Sequence, residues 1–154
     1  MSLEGKKAPA FSLEGSDGRR HSLNEYAGKT VVIYFYPKDS TPGCTKEACG
    51  FRDSYRELLD RGVVLLGVSK DSPASHGKFI TAHNLPFVLL SDPDASMMRA
   101  YGAFGEKVQY GKTTQGTIRS TVVIGPDGSV RKHWIKVAKA ETHPAQVLEY
   151  LVHG

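Results

Sequence analysis

The chain has 154 residues, of which 40% are apolar and 23% charged, with a formal net charge of +4. That size suits one domain over residues 1–154, with a full core, and the composition is that of an ordinary soluble protein. Lysines and arginines stand singly or in pairs among acids, as in Lys6-Lys7 and Arg131-Lys132, and no apolar run is long enough to span a bilayer, so neither a nucleic-acid partner nor a membrane is expected.

Phe11 to Leu13 and Arg20 to Leu23 read as short strands around a Ser16-Asp17-Gly18 turn, and Ser22 with Glu25 has capping-box spacing for a one-turn helix that Gly28 ends. The opening MSLEGKKAPAFSL lacks the apolar core of a secretory signal, which makes the cytoplasm the expected location. Val31 to Tyr36 has the continuous apolar pattern of a buried strand. The segment PKDSTPGCTKEAC, Pro37 to Cys49, follows it and leads into Ala48, Phe51, Tyr55, Leu58 and Leu59 at helical spacing. Thr41 suits an N-cap, Pro42 a first helical position and Gly62 a terminator, so a helix is predicted from Pro42 to Arg61.

Val63 to Val68 is a second buried strand, and a helix opened at Pro73 turns Phe79 and Ile80 inward. Phe87 to Leu90 is a strand after Pro86, and Asp92-Pro93 starts a helix that Gly102 stops. The glycine-punctuated stretch from Gly102 to Gly116 reads as a polar loop. Ile118 to Ile124 and Val130 to Lys136 are strands joined by the turn Gly125-Pro126-Asp127-Gly128, and Pro144 to Val152 is an amphipathic helix. Strands that alternate with helices before a late hairpin predict an α/β fold with a mixed sheet covered on both faces. Sites in such sheets form beyond the carboxyl ends of strands, where Pro37 to Thr41 lies.

Cys44 falls in the first turn of the predicted helix, where unpaired N–H groups and the helix dipole stabilise a thiolate. A small buried hydrophobe is the plainer account of a free cysteine, but the polar, proline-bearing loop favours a nucleophile. Cys49 is either a space-filling residue or a resolving thiol. Five helical residues rotate it ~140° and lift it ~7.5 Å, so the Cα atoms stand ~8.6 Å apart. A disulfide spans at most about 7 Å, so bonding requires the helix to unwind, which Gly43 and Gly50 ease. Two cysteines and scattered histidines do not make a zinc site, and no metal or cofactor is expected. Thr41 is expected to cap the helix and can donate its hydroxyl to sulfur. Pro37 at its simplest ends the strand, Arg119 on a late strand is a solvent-facing or an inward residue, and Glu47, one turn after Cys44, reads as a solvated acid.

The spacing PxxxTxxC over Pro37, Thr41 and Cys44, within YPKDSTPGCTKEACGFRD from Tyr36 to Asp53, resembles the active-site segment of peroxiredoxins. The similarity is to the bacterioferritin comigratory protein or peroxiredoxin Q subgroup of atypical two-cysteine type. It extends to KAPAFSL, to NLPFVLLSDPD from Asn84 to Asp94, to GTIRST from Gly116 to Thr121 and to Trp134. Ala10 stands where the family often has an acid, and TVVIG from Thr121 replaces a commoner TFVID. The resemblance implies a thioredoxin-like fold and reduction of hydrogen peroxide and organic hydroperoxides by Cys44. Cys49 would resolve the sulfenic acid as a Cys44–Cys49 disulfide, and thioredoxin or a similar dithiol would reduce it. By the same resemblance Arg119 holds thiolate and peroxide, Pro37 shields the thiolate, and Glu47 orients Arg119. A monomer or weak homodimer is expected. Two other readings remain: a thiol–disulfide oxidoreductase, whose usual CxxC is absent, and a redox-switched chaperone-like binding protein.

Overall fold

The computed structural model describes residues 2–153. In chain order it contains β1 (Ser12–Gly15), β2 (Arg20–Ser22), a 3-10 turn (Leu23–Tyr26), β3 (Thr30–Phe35), α1 (Pro42–Asp60), β4 (Val63–Ser69), α2 (Pro73–His83) and β5 (Val88–Ser91). Then come α3 (Ser96–Ala100), β6 (Phe104–Gln109), β7 (Lys112–Thr117), β8 (Ser120–Ile124), β9 (Val130–Trp134) and α4 (His143–His153). Seven strands form one sheet in the order β2-β1-β5-β4-β3-β8-β9. β3, β4 and β5 run parallel through the crossovers α1 and α2, while β8 pairs antiparallel with β3 and β9 with β8.

The apolar run at the centre is explained by burial on both sides. Val31, Ile33 and Phe35 face a layer with Leu66, Val68, Leu90, Met98 of α3 and Tyr101. Val32, Tyr34 and Tyr36 face the opposite layer, where α1 supplies Phe51 and Leu58, α2 Phe79 and α4 Val147. Helices therefore cover both faces, and the mixed α/β sheet predicted from the alternation is present. Gly67 in β4 makes room for the Tyr34 ring: a Cβ there would lie 2.7 Å from Leu89 and 2.9 Å from Tyr34.

Three local expectations are corrected. The stretch from Gly102 to Gly116 is not a loop but mostly the antiparallel hairpin β6–β7, with Gln109 opposite Lys112 across Tyr110-Gly111 at φ 53° and 76°. Two left-handed residues are what a tight hairpin turn needs, and β7 is largely exposed, so no buried alternation betrays it in the sequence. The helix expected from Asp92 begins only at Ser96, because Ala95 at φ 60° breaks the path; Asp92 instead accepts the N–H groups of Met97 and Met98 at 3.3 and 2.8 Å. The turn at Leu23–Tyr26 forms, but Ser22 makes no side-chain cap, and Glu25 lies 3.1 Å from His21 Nδ1 instead.

Candidate active site

β3 ends at Phe35, and the chain crosses the top of the sheet to start α1 at Pro42. Cys44 sits in the first turn of α1, 1% exposed, and Cys49 half-buried lies further along the same unbroken helix, both as free thiols. In this helical state ordinary geometry keeps their Cα atoms ~8.6 Å apart, beyond disulfide reach.

Arg119 lies just before β8 rather than within a strand. Its Nη2 donates to Cys44 Sγ at 3.2 Å, and its Nη1 donates to Glu47 Oε1 at 2.5 Å. The Arg119 side chain is 16% exposed and that of Glu47 is fully buried, so the solvated alternatives for both residues are excluded. Burial pushes the Glu47 carboxyl up to about 7, with Arg119 pulling it back down. Burial opposes the charge of Arg119, yet Glu47 and Cys44 outweigh it and raise its pKa. Glu47 Oε2 and the Tyr34 hydroxyl are buried with no hydrogen-bond partner among the described residues. A planar fork of donors fixed at one end by an acid and aimed at sulfur with the other is suited to hold an anion and an incoming oxygen together.

Thr41 stands at the N-cap position with extended backbone, but its hydroxyl does not cap the helix; it donates to the Lys38 carbonyl at 2.9 Å. With its proton so committed, the oxygen offers only lone pairs to a substrate, the reverse of the donor role expected from sequence. Pro37 is half-buried in the loop between strand and helix. Gly50 has a packing role beyond any ease of unwinding, since a Cβ there would meet Pro144 of α4 at 2.8 Å.

Other nearby groups escaped the sequence reading. Lys107 of β6 is brought close enough for burial first, and then Arg119, to lower its pKa. His143 of α4 lies 2.8 Å from the Thr121 hydroxyl and edge-on to Trp134. Asp39, Tyr36 and His76 form a buried network behind the loop. Isolated histidines carry no periodic signal, and only the pairing of α2 with the loop reveals a role. A cleft of about 770 Å³ along β9 and α4, lined by Trp134, Lys136 and Tyr150, contains neither cysteine.

The AhpC/TSA family model matches residues 4–133. Peroxiredoxin Bcp of Bacillus subtilis is 45% identical over 152 residues, 98% of this chain and 96% of that protein. A solved structure of Xanthomonas campestris Peroxiredoxin Q superposes with a TM-score of 0.87 at 42% identity, covering 93% of this chain and 90% of that one. A second, described as Xanthomonas campestris Bacterioferritin Comigratory Protein, gives 0.87 at 42% identity over 92% of this chain and 90% of its own. With a thioredoxin-like sheet, a cysteine at a helix start and an arginine on its sulfur, this chain belongs to the AhpC/TSA family as a peroxiredoxin of the Bcp type.

Proposed function

We propose that the chain is a thiol-dependent peroxidase in which the Cys44 thiolate attacks the terminal oxygen of a hydroperoxide. The sulfur–oxygen bond forms as the oxygen–oxygen bond breaks, and the leaving alkoxide or hydroxide takes a proton to depart as alcohol or water. The observation that carries this reading is the Arg119 fork, one nitrogen on Cys44 sulfur and the other on buried Glu47. Arg119 stabilises negative charge on sulfur and then on the departing oxygen, and Thr41 accepts a hydrogen bond from the peroxide. Pro37 limits water around the sulfur. An organic hydroperoxide substrate is supported by the description of the Xanthomonas structure, which speaks of that protein's alkyl peroxide reduction activity.

Recycling requires the start of α1 to open. Cys49 then condenses with the sulfenic acid, releasing water and forming the Cys44–Cys49 disulfide. A dithiol such as thioredoxin returns both sulfurs to thiols and is itself oxidised to a disulfide. No metal, haem or flavin takes part in these steps. The proposed setting is a monomer in the cytoplasm; no helix among the described residues is long and apolar enough to cross a membrane.

Intact mass after one equivalent of cumene hydroperoxide tests the cycle. Wild type is expected to lose two hydrogens and to regain them with thioredoxin, its reductase and NADPH. Cys49→Ser is expected to stop at a sulfenic acid after one turnover, and Cys44→Ser to show no turnover. Slow, indiscriminate oxidation of both cysteines in wild type overturns the proposal.

A further inference from the structure

Behind the sulfur, the same loop carries a second buried cluster that takes no part in the cycle above. Asp39 is 5% exposed and His76 of α2 is fully buried. Asp39 Oδ1 accepts the Tyr36 hydroxyl at 2.5 Å; its Oδ2 accepts the Ser75 hydroxyl at 2.9 Å and lies 2.7 Å from His76 Nδ1. On the far side of the ring, Nε2 is 3.0 Å from the Leu90 carbonyl, which only accepts, so Nε2 carries a proton. The Asp39 carboxyl thus engages two hydroxyls and Nδ1 at once, closing a buried contact between Asp39 and His76. The Asp39 N–H donates to Asp71 Oδ2 at 2.9 Å, and the Ser69 hydroxyl holds that oxygen at 2.6 Å. Asp39, Asp71 and His76 bring three ligand-type atoms within 4.8 Å of one another, but all are engaged by protein groups, so the cluster is built as a fastener rather than an ion cage.

We infer that Asp39 and His76 are positioning residues, pinning the loop of residues 37–41 to α2 so that α1 opens only beyond Thr41 and one wall of the thiolate pocket stays in place. The inference rests on the cycle proposed above and adds where its unwinding stops. Upstream, the loop is tied by this pair and by the Tyr36 N–H on the Val68 carbonyl at 3.1 Å, neither touched by peroxide chemistry. Downstream, Arg119 grips the start of α1 at Cys44 sulfur and at buried Glu47, and disulfide formation takes the sulfur out of that grip, leaving the Glu47 contact alone. The other ion pair of this segment among the described residues, Lys46 with Glu141 at 3.6 Å, is exposed at both ends and adds little. The oxidised helix therefore has its weak side after the loop.

Amide hydrogen exchange on reduced and peroxide-oxidised wild type is the test. In the disulfide form, amides of residues 43–50 should lose at least about tenfold in protection, while the Asp39 amide changes by no more than about twofold. Opening of Asp39 together with residues 43–50 overturns the inference. Rapid quench with cumene hydroperoxide on His76→Gln supplies a second readout. Sulfenic acid formation should slow about tenfold, because the pocket wall drifts, while the following disulfide formation accelerates. Both steps slowing together, or neither changing, overturns it. If wild type forms no disulfide with peroxide, the peroxidase cycle fails independently, and the reduced protein decides the fastener: His76→Gln must release the Asp39 amide, and an unchanged amide there refutes it.

Discussion

Two buried polar clusters flank the loop that joins β3 to α1, and they are satisfied to different degrees. Around Cys44, the Arg119 fork reaches sulfur and Glu47, yet Glu47 Oε2 and the Tyr34 hydroxyl have no partner among the described residues. Around Asp39, both carboxylate oxygens and both ring nitrogens of His76 are engaged within the protein. An unpartnered buried polar atom costs free energy, so incomplete satisfaction marks groups kept for a substrate or a proton. A saturated network is stiff and makes a mount. Substitutions on the first side should therefore change rates, and on the second side stability and the extent of opening.

The largest effect is expected at Arg119. Arg119→Met should slow sulfenic acid formation by about a thousandfold, measured by rapid quench with limiting peroxide, since it removes the charged donor from sulfur and leaving oxygen. Its loss of stability should be smaller than that of an Asp39 variant, because Glu47, already near neutrality, takes up a proton when its partner is gone. An equally unstable Arg119→Met would erase the contrast between the clusters.

Asp39→Ala should cost about 3 kcal/mol in urea unfolding, because it leaves His76 Nδ1 and the Tyr36 hydroxyl buried without the partner that Asp39 supplies. A loss below about 1 kcal/mol would mean that the saturated cluster is no mount.

The pH dependence sharpens the difference further. Burial raises the Glu47 carboxyl from 4.5 to about 7, so the folded chain holds that proton more tightly than the unfolded chain between these values. The resulting stability is complete below about pH 4.5 and is lost as pH rises through about 7, amounting to about 3 kcal/mol. Unfolding measured from pH 4.5 to 8 should show this decline in wild type and not in Glu47→Gln; identical profiles would remove Glu47 as the titrating group.

The smallest effect is at the seam with α4. Gly50→Ala gains helix propensity but places a Cβ 2.8 Å from Pro144, and the two terms should leave a net loss of about 1 kcal/mol in thermal unfolding. A stabilised variant would mean that Gly50 serves unwinding alone.

The alternation of apolar runs with Gly- and Pro-bounded helical patterns made β3, α1, β4 and α4 legible, because burial on both faces or along one stripe leaves a periodic trace. β6 and β7 left none: β7 is largely exposed, and the turn, Tyr110-Gly111, lacks the usual Asn-Gly signature. Likewise the late start of α3 depends on one left-handed residue, Ala95, which composition does not reveal. At the site, Cys44 was legible because its chemistry is local, set by a helix start that Thr41 and Pro42 announce. The direction of the Thr41 hydroxyl was not, since the Lys38 carbonyl competes for it only after the loop has folded.

By itself, then, the order of residues determined the strand, loop and helix that present Cys44, with Cys49 five positions on, because propensity, capping positions and period act within a few residues. Only the tertiary structure decided that Arg119 meets sulfur across 75 positions of chain, that Glu47 is buried against it, and that Asp39 is locked to His76. Those contacts join groups far apart in sequence, and the low-dielectric interior that gives them their strength exists only once the sheet and its helices have closed around them.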